Sequence, residues 1–489
     1  MNKPAWWGGA PSRLAATFIT CLIPFVSHSA QAESPYDTAQ RKLAETVRQK
    51  GKDPAAAISL WQMVKNEGLA DPALTRSLFE QLGKTPSVDV QHRIFARRRA
   101  AWDLRRTGEL EASEQAFDNL GYVRAFRIAG PFDNEGKRGF DTELGPELAR
   151  TAAVDPGARY IGREREVRFR ELPDVVRGGY VPFDHLLRPT QHVCAFAETS
   201  VSLPKAQPIT VWLGGGGAIK AYFNGQEVLR DPGYRSPAPD RDVALVAGRK
   251  GENRLLVKSC VMEGPWGVFV RIGDARGEPL KLTATPDHIA QVPESTAAKL
   301  PKAPVSILHQ LEARAQGPRE SATALENLGR FLSYSGADDP AERLARQHAA
   351  RAAELAPSVE NLLFAASLAQ ERYERMGYVE RARALNPNAA TAALAHAELV
   401  STGPGSERAL ALLDETNATG VAALDSLALR IQFLRSLGLE ESALALTREG
   451  LERAPNSSVW LARLADVLLL KPRRDEALAL EDRLSRAHF

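Results

Sequence analysis

Only three cysteines occur in 489 residues, and one of them, Cys21, lies in an apolar N-terminal run. The other two, Cys194 and Cys260, are too few for a disulfide-scaffolded fold. Histidine is equally thin: beyond residue 32 it occurs singly, at His92, His185, His192, His288, His309, His348, His396 and His488. No HExxH, no histidine pair at metal spacing and no G-x-S-x-G is present. Charge of one sign is also missing. The formal +3 falls to about +1 when Lys3 and Arg13 are set aside, so the balance gives no strong pull toward nucleic acid or a membrane surface. After the first 32 residues no apolar run reaches the ~18 residues of a spanning helix. What remains is ordinary globular composition, 44% apolar and 25% charged, in a chain long enough for two to four domains.

The N-terminus has the form of a secretory leader. Lys3 and Arg13 precede "LAATFITCLIPFV" (Leu14 to Val26), and "AQA" (Ala30 to Ala32) is a small-x-small cleavage site. Residues 1–32 are expected to be removed, leaving a chain that begins near Glu33 in the periplasm or outside the cell. Cys21 lacks a small residue just ahead of it, which argues against a lipid anchor.

Residues 33–120 read as helical hairpins: "TAQRKLAETVRQ", "DPAAAISLWQMV", "DPALTRSLFEQLG", "VQHRIFARRRAAWDLRRTG" and "GELEASEQAFDNLG". Each "DP" sets an N-cap Asp before Pro at the first helical position. Arg93, Arg97, Arg98, Arg99, Arg105 and Arg106 form either a basic stripe or a solvated helix face diluted by nearby acids, and the second is the expectation. From 121 to 283 helix periodicity stops. "YVRAFRIAGPF", "EVRFREL", "HVCAFAETSVSL", "PITVWLG", "AIKAYFNG", "QEVL", "RLLVKSCV" and "WGVFVRIGD" are short alternating runs between turns, which predicts an antiparallel β-sandwich. A linker follows over 284–305, and 306–489 is helical again.

"ALAL" recurs at Ala409, Ala443 and Ala477, 34 residues apart. Gly438 makes the turn of "RSLGLEESALAL", and Ala443 lets the second helix approach the first. In period and small-residue placement, residues 321–489 resemble about five tetratricopeptide units, the second shortened by four residues, with Leu and Ala in place of most signature Trp and Tyr. The resemblance implies an α-solenoid whose concave face binds a protein partner.

"WLGGGGAIKAYFNGQEV" looks at first like a phosphate loop. Lys220 is followed by Ala221, where a P-loop needs Ser or Thr, and no helix follows. Ile219, Ala221 and Phe223 instead alternate with Lys220 and Tyr222, and Asn224-Gly225 is a strong hairpin signal. The order of a strand, a Gly-rich loop, this hairpin, a polar loop, then "GENRLLVKSC" and "WGVFVRIGD" resembles the galactose-binding-like jelly roll, which implies a non-catalytic accessory module. With "GPFDNEGKRGFD" and "DPGYRSPAPDRD" it is similar to the N-terminal halves of large secreted delta-proteobacterial transglutaminase-like proteins. The Cys nucleophile with its His that such an enzyme needs is not recognisable, so the chain is expected to carry the accessory half alone.

Candidate sites follow. Asp133, Asn134 and Glu135 are hard oxygen donors suited to Ca²⁺ or simply a solvated turn. The jelly-roll resemblance, in which a structural Ca²⁺ is common, keeps the metal open as the sole cofactor. Tyr222, Tyr234 and Trp266, with Arg235, Asp240 and Arg241, suit sugar or peptide recognition, or else serve as core and loop anchors. Cys194 and Cys260 lie in strand runs and are either bridged or buried as separate thiols. The expected function is a non-catalytic extracytoplasmic scaffold, its repeats on a protein partner and its sandwich on a glycan or protein, with no nucleic acid and no membrane span. The alternatives are a carbohydrate-active or transglutaminase-related envelope enzyme, or a ligand-free structural remnant.

Overall fold

The structure, a computed structural model, describes residues 33–153, 155–173, 176–286, 300–336, 339–401, 405–469 and 480. Residues 1–32, expected to be a leader, much of the segment 284–305 and all of the third "ALAL" except Leu480 lie outside them. Among the described residues five helices come first: α1 (Pro35–Lys50), α2 (Ala56–Lys65), α3 (Pro72–Lys84), α4 (Val90–Arg106) and α5 (Leu110–Asp118). Their starts follow local chemistry. Asp71 accepts the N–H groups of Ala73 and Leu74, with Pro72 opening α3. Ser34 and Asp89 cap α1 and α4 in the same way. At the first "DP" the Asp53 carboxylate takes the Ala55 N–H, and helix begins just beyond, at Ala56. Val47, Leu60, Met63, Phe79 and Leu82 make the apolar interior of these hairpins.

The next region holds β1 (Arg127–Asp133), α6 (Arg138–Asp141), α7 (Gly145–Leu148), β2 (Tyr160–Ile161), β3 (Glu166–Val167), β4 (Arg170–Glu171), β5 (Tyr180–Pro182), α8 (Phe183–Leu186), β6 (Val193–Leu203), β7 (Gln207–Gly215), β8 (Gly217–Phe223), β9 (Gln226–Arg235), β10 (Asp242–Gly248), β11 (Gly251–Val261), β12 (Gly267–Asp274) and β13 (Thr283–Thr285). The larger antiparallel sheet runs β4-β1-β6-β11-β8-β9, with β13 also on β6, and the smaller runs β10-β7-β12-β5. Ile219, Phe223 and Val257 of the larger sheet share one apolar cluster with Val211, Leu213 and Val270 of the smaller. Strand alternation sends the other side chains of β6, β8 and β11 to the opposite face. There Phe196, Tyr222 and Leu256 meet Phe140, Val167 and Phe169 from the segment between β1 and β5.

The glycine quartet lies where the chain passes between sheets. Gly214 and Gly215 end β7 in the smaller sheet, and Gly217, at φ +80°, opens β8 in the larger. Asn224 and Gly225 take φ of +51° and +81°, the signs a type I′ hairpin turn requires. Three details differ from expectation. "EVRFREL" is two short pieces, not one strand. Asp231 to Arg235, expected in a loop, extend β9. Asp242–Gly248, not anticipated as a strand, is β10, with Ala244 and Val246 on its buried side.

The C-terminal region is helical and fits repeats: α9 (Ile307–Ala315), α10 (Ala322–Ser335), α11 (Asp339–Leu355), α12 (Val359–Leu368), α13 (Arg372–Leu385), α14 (Ala390–Val400), α15 (Ser406–Asp414), α16 (Val421–Ser436), α17 (Glu440–Arg453) and α18 (Ser458–Leu469). Ala409 on α15 and Ala443 on α17 are fully buried, and Gly438 turns the chain at φ +73°.

This region also holds the N-terminal helices. Tyr36 of α1 is buried among Leu424, Ile431 and Trp460, and its hydroxyl donates to Asp425 at 2.9 Å. The Gly68 carbonyl accepts from Val459 N at 3.1 Å and Ser457 Oγ at 2.9 Å. Toward the other end of the helical run, Lys65 sits 4.0 Å over the Tyr334 ring of α10.

Candidate functional site

The six arginines of α4 separate by what they touch. Arg93 pairs with Glu278, Arg99 with Glu67 at 2.5 Å, Arg105 with Glu114 at 3.1 Å, and Arg106 with Glu67 and Asp103. Arg97 donates to the Asn119 carbonyl at 3.1 Å. These five tie the helix to its surroundings, which corrects the expected solvated face. Arg98 is the exception. Its guanidinium lies 5.6 Å from the Phe95 ring and makes no hydrogen bond or ion pair among the described residues. Burial lowers its pKa.

Arg98 lines a cavity of about 570 Å³ where three regions of the fold meet. Leu60 and Trp61 come from α2, Phe95 from α4, Tyr234 and Arg235 from the end of β9, and Phe331 and Leu332 from α10. Trp61 and Phe95 pack edge to face at 4.9 Å. The wall between β9 and β10 is held rigidly. Asp240, at φ +57°, accepts two bonds from Arg271 Nε at 3.0 and 2.9 Å. Arg271 is itself buried against the Trp212 ring at 4.9 Å. Arg241 is tied to Asp242 at 3.1 Å and to the Ser236 and Gly215 carbonyls at 3.0 and 3.1 Å. On the far side His309 bridges Asp242 at 3.0 Å and Glu312 at 2.8 Å, and these two bonds raise its pKa to about 9.

Four of the six predicted ligand residues, Tyr234, Arg235, Asp240 and Arg241, thus line one cavity. Asp240 and Arg241 build its wall, while Arg235 shows no ion pair among the described residues. Tyr222 and Trp266 are elsewhere. Trp266 has no exposed surface; it packs on Phe183 and donates to Ser259 Oγ at 3.1 Å. Tyr222 is buried, and its hydroxyl donates to Glu147 at 2.7 Å, so burial and that carboxylate raise its pKa. The anchoring alternative therefore describes both of these rings.

The three oxygen donors do not converge. Asn134 is buried, with its amide donating to Tyr234 Oη and the Val261 carbonyl, both at 3.1 Å. Asp133 and Glu135 stay exposed and face Arg163, at 3.9 and 3.3 Å. No group of three His, Cys, Asp or Glu among the described residues is arranged to hold a metal ion. Cys194 and Cys260 are directly opposite in the β6–β11 register, with Cα atoms 4.0 Å apart, and form a disulfide.

One buried constellation was missed by sequence reasoning. Glu147 of α7 accepts from Lys258 Nζ at 2.6 Å and stands 3.8 Å from Lys220 Nζ, all three buried. Burial lowers the Lys258 pKa to about 8 against the opposing pull of Glu147. Beside it Glu198 holds Arg127 at 2.6 Å and Arg254 at 2.6 Å, and Arg254 also donates to the carbonyls of Ala149, Arg150 and Ala152. The signal was present: Lys220 and Lys258 interrupt apolar strands, and they face each other across β8 and β11.

No family model and no curated protein matches the chain. Among solved structures, the crystal structure of MamA is similar over 33% of this chain and 92% of that one, at 15% identity and a TM-score of 0.26. The GH31 alpha-xylosidase (Xac1773) from Xanthomonas citri is similar over 33% of this chain and 17% of its own, at 13% identity and a TM-score of 0.20. Superpositions this loose carry no argument about fold or function. No helix among the described residues is long and apolar enough to cross a membrane.

Proposed function

We propose that this chain is a non-catalytic, extracytoplasmic binding protein whose ligand occupies the cavity between its three regions. In this reading the β region is a jelly-roll sandwich and the C-terminal helices are a solenoid of tetratricopeptide-like pairs. The observation that carries it is the cavity itself: about 570 Å³, walled by aromatic and aliphatic side chains with a few polar groups fixed at its edge. That size and lining are what small-molecule sites have. The Cys194–Cys260 bridge leaves no free thiol beyond residue 33, which favours binding over transglutaminase-type chemistry. Secretion rests on the leader-like segment and fits an oxidised cysteine pair. A protein partner on the repeats belongs to the same proposal. If it gripped α16 and α18 where Tyr36 lies, it would have to displace Tyr36.

The test is saturable binding of a neutral apolar dye, Nile red, to the chain from residue 33 onward. One site is expected in wild type, and Ser335→Trp, on the cavity wall, should block it. Absence of saturable binding, or binding unaffected by Ser335→Trp in a variant of unchanged thermal midpoint, would remove the cavity as the site.

A further inference from the structure

We propose that the cavity selects an amphipathic carboxylate, an apolar body carrying one anionic group, with the anion held by Arg98 and Arg235. This rests on the cavity being a binding site and adds the class of ligand.

One arginine of α4 is left over by the pairing of the others. Five of its six guanidiniums find acceptors within the chain, and Arg98 alone faces the cavity without one among the described residues. A cation held in mostly apolar surroundings without a partner is unfavourable, and an anionic ligand removes that cost. The nearest built-in candidate, Asp240, is committed to Arg271. Arg235 adds a second guanidinium without an ion pair among the described residues, and Lys137, stacked 4.6 Å over the Tyr234 ring, adds a third positive charge on the same lining. Among the described residues the one other lining carboxylate, Glu312, is hydrogen-bonded to His309. The described lining therefore carries an excess of positive charge: Arg98, Lys137, Arg235 and Arg241 against Asp240 and Glu312. Guanidinium donors form a planar fork that fits a carboxylate with two parallel bonds.

The rest of the lining decides what the anion is attached to. Leu60, Trp61, Phe95, Phe331 and Leu332 offer surface but no side-chain acceptors. A sugar placed there would leave hydroxyls unpaired, each at a cost; an alkyl or aryl body would not.

Displacement of Nile red from the chain from residue 33 onward by decanoate, decanol and decyltrimethylammonium, all below their micelle concentrations, tests this. Decanoate should displace the dye at a concentration at least about tenfold below decanol, and the cation should be weakest. Arg98→Gln should erase the preference for decanoate over decanol. Arg98→Lys should keep part of it, and Arg235→Gln should reduce it. Unchanged thermal midpoints exclude misfolding, and calorimetry with decanoate alone gives the affinity directly. Equal displacement by decanol and decanoate in wild type overturns the proposal while leaving the cavity as a site. So does a decanoate preference that survives Arg98→Gln. Failure of every probe to bind overturns both.

Discussion

The covered part of the larger sheet, over β6, β8 and β11, and the core between α15 and α18 are both buried, yet they are built from opposite materials. On the sheet, Lys258, Lys220, Arg254 and Arg127 meet Glu147 and Glu198 under the segment that follows β1, next to a disulfide. Between the helices, Ala409, Ala443 and Gly450 keep backbones close, and the ring of Trp460 lies against Gly450. The difference follows from what each has to bury. A helix pair hides an apolar stripe, and small residues suffice. The cover over the sheet is largely irregular backbone whose carbonyls need donors, and Arg254 and Lys258 supply them at Ala149, Arg150, Ala152 and Thr142. The polar cluster thus closes the cover's hydrogen bonding. The same contrast predicts that the two faces fail for different reasons.

The largest effect should come from leaving a buried charge alone. Glu147→Leu strands Lys258 and should cost about 3–5 kcal/mol in urea unfolding. Adding Lys258→Met should restore much of that loss. A single substitution that costs under about 1 kcal/mol would mean the cluster is wetter than its burial indicates. Removing the bridge comes next. Cys194→Ala with Cys260→Ala opens a loop of 66 residues of sequence separation, worth on the order of 4 kcal/mol in the chain-entropy model. Without reductant, the native protein should take up no alkylating agent at either cysteine. Rapid labelling of one of them would show an open, reactive thiol and would end the non-enzyme reading.

On the helical side the expected cost is smaller. Ala443→Leu adds bulk at a site with no exposed surface and should destabilise by about 1–3 kcal/mol through overpacking. Reductant should leave this variant's deficit unchanged, because no disulfide lies among the described helices. An unchanged midpoint would show that the helices shift apart at little cost, and that Ala443 is not the contact that sets their spacing.

How far the sequence exposed this contrast depends on range. Signals carried by adjacent residues were legible: the Asp71-Pro72 start of α3, the Asn224-Gly225 hairpin, and the alternation that puts Cys194 and Cys260 in strands. Ala443 was legible because a 34-residue repeat places it. The cover segment was not, since Glu147 sits in a one-turn helix and meets its lysines more than 70 residues away. Trp266 was ambiguous for another reason. A Pro and a Gly flank it in either a surface turn or a strand entrance, and only the partner, Phe183 on a separate element, decides. The cavity depends on α2, α4, the end of β9 and α10 meeting. No local pattern encodes that, although four of its residues were singled out by type.

The smallest predicted effect concerns pH, and it has opposite signs at Lys258 on the sheet and at the contact between α9 and β10. His309 of α9 bonds Asp242 of β10 and Glu312, and its pKa is raised from 6.5 to about 9. A raised histidine stabilises fully below about 6.5 and loses that contribution as pH climbs through 9. Asp242 is held low by His309 and by Arg241 despite its burial, so its contribution is lost only in acid. Lys258 behaves oppositely. Its pKa is lowered from 10.5 to about 8 by burial, so the unfolded chain binds more protons between 8 and 10.5 and this term favours folding as pH rises there. Between 6.5 and 8, therefore, the His309 contribution falls as pH rises. With 43% of its side chain exposed, the loss should stay below about 1 kcal/mol. His309→Gln should flatten the decline in urea midpoint between pH 6.5 and 8, leaving any rise above pH 8 in place. If the decline persists in His309→Gln, the contact between α9 and β10 is not what senses pH in that range.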